Sequence, residues 1–230
     1  MHLSPGGGVR GGVTGTWRLF VEPEGRSGIE NMRRDEALLE DALHSGVASL
    51  RLYRWDPPTL SVGRNQSTNG VARDSIPVVR RPTGGLAVWH EHEVTYAVAA
   101  PIAMFGSLRS AYCEIHTRLA SALRALGVDA TLAPARPPVR ASARPASCFA
   151  APVGGEILVR GRKLVGSAQV RRRDAFLQHG SMLLDGSQAI VSPASGEITL
   201  AEVFGRAVSF EEVAAAVVGN WSHLASVAAE

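Results

Sequence analysis

Two stretches of this chain carry apolar residues at helical spacing, each followed by a glycine, while most other ordered-looking segments are short apolar runs. The first covers residues 29–45, with Ile29, Met32, Ala37, Leu38, Leu39, Ala42 and Leu43 in its stripe and Gly46 behind it. The second covers roughly 107–126, with Leu108, Ala111, Tyr112, Ile115, Leu119, Leu123 and Leu126 in its stripe and Gly127 as its stop. Apolar residues at this period predict amphipathic helices, and a glycine just past the end is a stop signal. The other runs predict strands at 17–21, 50–55, 59–63, 76–81 and 94–99, and near 156–160, 163–171 and 176–184. A turn near 172–174 joins the last two. A short final helix is expected at 209–218, because Ser209 is followed three residues on by Glu212, a capping-box pattern. Several strands with two main helices argue for an α+β fold rather than a parallel α/β sheet.

The chain has 230 residues, enough to bury a real core, and its 45% hydrophobic and 20% charged content suits a soluble globular protein. Its 24 basic and 21 acidic residues leave a net charge of only +3, but the arginines cluster. Arg80 and Arg81 adjoin; Arg136, Arg140 and Arg144 recur in a Pro-rich segment; Arg160, Arg162 and Lys163 precede Arg171, Arg172 and Arg173. Such clusters are commonly solvated surface, but a basic face can also steer an acidic partner. Nucleic acid is not expected as a partner, since no basic motif with interleaved aromatics is present. Cys113 and Cys148 form no disulfide framework and match no metal-ligand spacing, so reduced cytoplasmic thiols are expected. The Gly-rich start has no apolar run, hence neither signal peptide nor membrane span is expected. Residues 1–15 are expected to be a disordered tail and 16–230 one domain. Residues 133–147, rich in Pro and Arg, are expected to form a loop.

Three segments carry candidate chemistry. In the first, Arg80 to His90, Gly84 and Gly85 permit positive φ and close approach of backbone to a ligand. A plain turn explains two glycines equally well; Arg80 and Arg81 before them and His90 after them point to a binding loop. The second is Ser147–Cys148–Phe149. A lone cysteine is usually a buried small hydrophobe. Cys113, inside the second helix, fits that description. Cys148 instead lies between basic segments, where positive charge lowers a thiol's pKa and favours the nucleophilic thiolate. The third is Gly161 to Leu184. Lys163 at a strand start is ordinarily solvated and of little weight for stability; the functional reading makes it a cation facing Cys148 or a reacting carbonyl oxygen. Gly166, Ser167 and Ala168 would let a ligand lie against the sheet. His179, on the pairing strand, is either a satisfied structural hydrogen-bonder or part of the ligand site.

These segments, with DEALL at 35–39, LRLYRWDPPTLSVGRNQ at 50–66, RRPTGGLAVWH at 80–90, SCF at 147–149, GRKLVGSAQ at 161–169 and LQHGSMLL at 177–184, resemble the biotin/lipoate protein ligase superfamily. The likeness is greatest to the cysteine-dependent octanoyltransferases of its lipoate-ligase branch. It implies a mixed β-sheet flanked by helices, of the class II aminoacyl-tRNA synthetase and biotin/lipoate ligase type. It also implies that the double-glycine loop closes over an acyl chain, that Lys163 lies near the acyl carbonyl, and that Cys148 is the nucleophile. The branch usually places an Arg after the glycine pair, whereas Leu86 stands here, so one basic contact is missing or comes from elsewhere.

The resemblance implies a two-step exchange. Octanoyl passes from acyl carrier protein to the Cys148 thiolate, then to a lysine of a lipoyl domain or glycine-cleavage H protein, in lipoate biosynthesis. Arg80, Arg81, Gly84, Gly85, His90, Gly166, Ser167, Ala168 and His179 would surround the acyl group. No cofactor is needed. The alternatives are an ATP-dependent lipoate-protein ligase, which would use ATP and Mg2+, an amidotransferase moving octanoyl between lipoyl domains, or a non-catalytic carrier-binding module.

Overall fold

The computed structural model describes residues 17–67, 76–134, 149, 154–191 and 196–222. The strands are β1 (Trp17–Arg26), β2 (Ala48–Trp55), β3 (Thr59–Val62), β4 (Val78–Arg80), β5 (Val88–His90), β6 (Glu93–Pro101), β7 (Ala130–Leu132), β8 (Ile157–Val159), β9 (Arg162–Arg172) and β10 (Ala175–Leu183). The α-helices are α1 (Gly28–Ser45), α2 (Leu108–Ala125), α3 (Leu200–Phe204) and α4 (Phe210–Ser222).

Among the described residues, seven strands form one sheet in the order β1-β2-β6-β10-β9-β8-β7, and a smaller sheet runs β4-β3-β5. The pair β1–β2 is parallel, while β2–β6, β6–β10, β10–β9, β9–β8 and β8–β7 are antiparallel. The sheet is therefore mixed, as the resemblance implies, and mainly antiparallel, as suits an α+β fold. Strand β6 lies inside it and is buried on both faces, which explains its unbroken run of apolar residues. Successive side chains alternate between faces. Tyr96 and Val98 join the core that holds Ile115 and Leu119 of α2 and Val213 and Val217 of α4. Ala97 and Ala99 face a second core that holds Met32, Leu39 and Ala42 of α1. One helix thus covers one face, and two cover the other.

The helix ends follow local chemistry. The Ser27 hydroxyl accepts from the Glu30 amide at the start of α1, and Gly46 caps its end at φ 71°. Gly28, Met32, Asp35, Leu39 and Ala42 form its buried face; Ile29 and Ala37, expected in the stripe, point outward. Asp35 takes an inward place that spacing assigns to an apolar residue. On α2, Cys113 is exposed, which corrects its reading as a buried hydrophobe. It sits between Tyr112 and Glu114, outside the buried line of Ala111, Ile115 and Leu119.

Several elements outrun their expected bounds. Strand β1 continues to Arg26, pairing with β2 across a register shift between Glu22 and Gly25. Helix α4 continues to Ser222 because its apolar face continues: Trp221 is buried edge-on against Trp17, with ring centroids 5.4 Å apart. The three-residue strands β5 and β7 and the five-residue α3 fall outside the expected elements, whereas the equally short β4 and β8 lie within the longer runs expected at 76–81 and 156–160. The expected tail at 1–15 and most of the expected loop at 133–147 lie outside the described residues. No described helix is long and apolar enough to cross a membrane.

Candidate active site

The glycine loop begins at Arg81, which follows β4 and is buried. Its Nη1 donates to the Ser61 carbonyl at 3.0 Å and the Ser61 hydroxyl at 2.6 Å. Its Nη2 donates to the carbonyls of Gly84 at 3.2 Å and Leu86 at 2.8 Å. One guanidinium thus braces the chain on both sides of Gly85. Gly85 adopts φ 91°, a conformation that side chains resist. A Cβ on Gly85 would stand 3.8 Å from the Cβ of Ala168, so the loop rests on β9. Gly63 closes the contact from behind, since a Cβ there would fall 2.0 Å from the Gly85 carbonyl oxygen.

Two carboxylate–imidazole–hydroxyl chains secure this loop and the strands below it. Asp35 accepts from His179 Nδ1 at 2.8 Å, leaving His179 Nε2 to accept from the Thr83 hydroxyl at 2.7 Å. Glu93 accepts from His90 Nδ1 at 2.7 Å, and His90 Nε2 accepts from the Ser61 hydroxyl at 2.5 Å. Both chains are buried, as satisfied polar networks can be. Asp35 also holds Arg51 and the Tyr53 hydroxyl, each at 2.9 Å. His90 stacks on Trp55, with centroids 3.9 Å apart. Burial keeps the His90 pKa below its ordinary value, with Glu93 pulling it upward. The imidazole therefore stays neutral and keeps Nε2 as an acceptor.

Between these chains lies a cavity walled by Met32, Trp55, Val88, Gly166, Ala168 and Gly180, with His90 and His179 also on its surface. Its volume is about 20 Å³, room for roughly one water. An acyl chain would enter only by displacing part of a wall.

Lys163 is buried in β9. Its ammonium donates to Glu156 at 2.7 Å, and each of these side chains is 1% exposed. The Phe149 ring lies with its centroid 5.1 Å from Nζ. Gly166 makes room, because a Cβ there would meet Phe149 at 3.0 Å and the Lys163 stem at 3.2 Å. The side chain is therefore not solvated, as a strand-opening lysine ordinarily is: it points inward onto a carboxylate. Cys148 lies outside the described residues; its neighbour in the chain, Phe149, is buried against Lys163.

Other expected residues divide. Arg81, His90, Gly166, Ala168 and His179 gather at the cavity. Ser167 lines it too, but its hydroxyl bonds Tyr96 at 2.7 Å and His116 at 2.8 Å. Arg80 is not at the cavity: it is exposed, and its Nη1 donates to the carbonyls of Gly63, Arg64 and Gln66. It braces the chain after β3. Among the described residues no cluster of His, Cys, Asp and Glu is arranged to hold a metal ion.

Residues 27–221 match the family profile of the lipoyl protein ligase A/B catalytic domain. The chain belongs to that family. Octanoyltransferase LipM of Carboxydothermus hydrogenoformans is 41% identical over 179 residues, covering 74% of this chain and 65% of that protein. Octanoyltransferase LipM of Moorella thermoacetica is 39% identical over 216 residues, covering 86% of this chain and 78% of that one. The match thus spans slightly under two thirds of the first relative's length. A lipoate-protein ligase A bound with ATP superposes with a TM-score of 0.69 at 21% identity, over 94% of this chain and 90% of that structure, a likeness of fold.

Within this lipoyl ligase fold, sequence reasoning missed Asp35, Ser61, Gly63, Thr83, Glu93, His116 and Glu156. A signal existed for two of them. Asp35 falls in the helical line of Met32, Leu39 and Ala42, and His116 falls in that of Tyr112, Leu119 and Leu123. A polar residue inside an apolar stripe implies a buried partner. Glu156 carries no such mark, since it precedes a strand only three residues long.

Proposed function

We propose that this lipoyl-ligase-family chain is an octanoyltransferase that works through a thioester on Cys148. The Cys148 thiolate attacks the thioester carbonyl of octanoyl-acyl carrier protein. The tetrahedral intermediate collapses, the C–S bond to the carrier breaks, and the carrier thiolate leaves and is protonated. A neutral lysine amine of a lipoyl domain or glycine-cleavage H protein then attacks the acyl-enzyme. The amide forms, the amine loses its proton, and Cys148 is released. Exchange between thioesters is close to neutral and amide formation runs downhill, so neither ATP nor a metal is called on. The observation that carries this reading is the buried Lys163 ammonium beside Phe149, the residue next to Cys148. A fixed cation there would stabilise first the thiolate and then the oxyanion.

The other residues supply shape. Gly84 and Gly85 lay bare backbone over the acyl chain, and Gly166 and Ala168 form its floor. Arg81, His90 and His179 hold the loop, and Arg80 braces its neighbour. The relatives named octanoyltransferase support the acyl group chosen.

The test is transfer from octanoyl-acyl carrier protein to a lipoyl domain without ATP, read as the acceptor's mass. Gain of one octanoyl group is expected. Transfer only from octanoate with ATP and Mg2+ would place the chain among the ligases. Transfer only from octanoylated H protein would make it an amidotransferase.

A further inference from the structure

Lys163 is held by a device that the proposed chemistry needs and does not itself contain. Glu156 stands just before β8, seven residues from Lys163, on the other arm of a tight hairpin. The turn between the arms places Arg160 at φ 52° and Gly161 at φ 74°, two consecutive positive φ values that match the twist of the paired strands. Ile157 pairs with Val165 and Leu158 with Lys163, so the register shifts beside the lysine. A bulge of this kind re-aims side chains and is common next to active sites. Here the lysine stem and the Phe149 ring both lie against Gly166, and the lysine head meets the carboxylate.

Removing one partner of a buried ion pair leaves the other charge without compensation, so a buried ammonium calls for a counter-charge fixed against it. Three titratable groups besides Glu156 face it among the described residues. His116, from α2, is held neutral chiefly by burial, with Lys163 a lesser cause. Tyr96, from β6, is held neutral by burial, with Glu156 adding to the effect. Glu197 pairs with Lys163 through the backbone, but its carboxylate accepts from the Ser187 hydroxyl and the Gln188 amide. Among these groups the carboxylate of Glu156 is the anion bonded to the ammonium.

We infer that Glu156 is the positioning residue of the site: its carboxylate fixes the Lys163 ammonium against Phe149, the chain neighbour of the proposed nucleophile, and acts on the reaction only through that lysine. This rests on the octanoyltransferase reading for the identity of the reaction, but not for its first readout. That readout is the rate at which iodoacetamide alkylates Cys148 as a function of pH, measured in a Cys113→Ala background so that one thiol reports. Glu156→Gln keeps the size and a hydrogen-bonding end and removes the charge. Its alkylation midpoint should move upward, as should that of Lys163→Met, with Glu156→Asp between Glu156→Gln and the parent. A midpoint that stays put or moves downward in a folded Glu156→Gln protein overturns the inference, because a carboxylate acting directly on the thiolate would oppose it. If Glu156→Gln does not fold, Glu156→Asp decides by the same criterion.

The second readout is acylation by a small octanoyl thioester. Glu156→Gln should lower kcat by about 10- to 100-fold, the usual cost of a misplaced group, with KM little changed. Equal kcat in variant and parent would likewise overturn the inference. If the parent itself takes no octanoyl, the transferase reading falls, and the alkylation midpoints alone decide the role of Glu156.

Discussion

The two cysteines separate cleanly at the scale of single residues. Cys113 is exposed on the outer side of α2, while the neighbour of Cys148 is buried against Lys163. Cys148→Ala should abolish octanoyl transfer and Cys113→Ala should leave it intact; full activity in Cys148→Ala would remove the thioester from the mechanism. Lys163 has a second consequence. Truncating one partner of a buried ion pair strands the other, at a cost of about 3–5 kcal/mol. Lys163→Ala should therefore lose stability as well as turnover, with Tm lowered by roughly 6 °C or more for a chain of this size. An unchanged Tm would show the pair to be solvated. The buried histidines add a pH dependence. Burial lowers the His116 pKa from 6.5 to about 3 and lowers that of His90 as well. Below 6.5 the unfolded chain binds protons that the fold refuses, so their contribution to stability is full above that pH. It is lost progressively as pH falls toward about 3, the folded value of His116. His116→Gln should flatten this acid limb in urea unfolding, and an equally steep limb would contradict the assignment.

The double-glycine loop is a contact between elements, and glycines set how close those elements come. Gly63 follows β3 and leaves no room for a Cβ against Gly85, whereas a Cβ on Gly84 would meet nothing within 4 Å. Gly63→Ala should displace the loop and cut transfer by about tenfold or more, while Gly84→Ala should fold with an unchanged Tm. Equal Tm and activity in both would mean that the loop does not need its contact with Gly63. The same elements show what the sequence could disclose. The helices α1 and α2 were readable from the period of their buried faces, and β2, β6 and β10 as runs buried along nearly their whole length. The three-residue β5 and β7 were not, because pairing to neighbouring strands defines them. Gly84, Gly85 and the run Gly166–Ser167–Ala168 stood out by composition, and Arg81, His90 and His179 by standing beside such segments. Arg80, equally conspicuous, turned outward to carbonyl groups. Glu156 was invisible because only the hairpin turn at Arg160–Gly161 brings it to Lys163. The long-range partners of His179, Thr83 and Asp35, come together only once α1 packs on β10.

At the scale of the whole molecule, one mixed sheet separates two cores, and the cavity lies on the face covered by α1. The helix contributes Met32 to its wall and Asp35 to the chain that ends at the glycine loop. The loop is thereby tied to the same helix that covers the slot, and β9 brings Lys163 and the small-residue floor together. The account stands on one covalent species, an octanoyl group carried as a thioester on Cys148. It is tested most directly by the intact mass of the protein after mixing with octanoyl-acyl carrier protein in the absence of ATP. The account predicts the added mass of one octanoyl group, released by neutral hydroxylamine, passed on when a lipoyl domain is added, and missing in Cys148→Ala. No adduct on the parent protein, or the same adduct on Cys148→Ala, would contradict it.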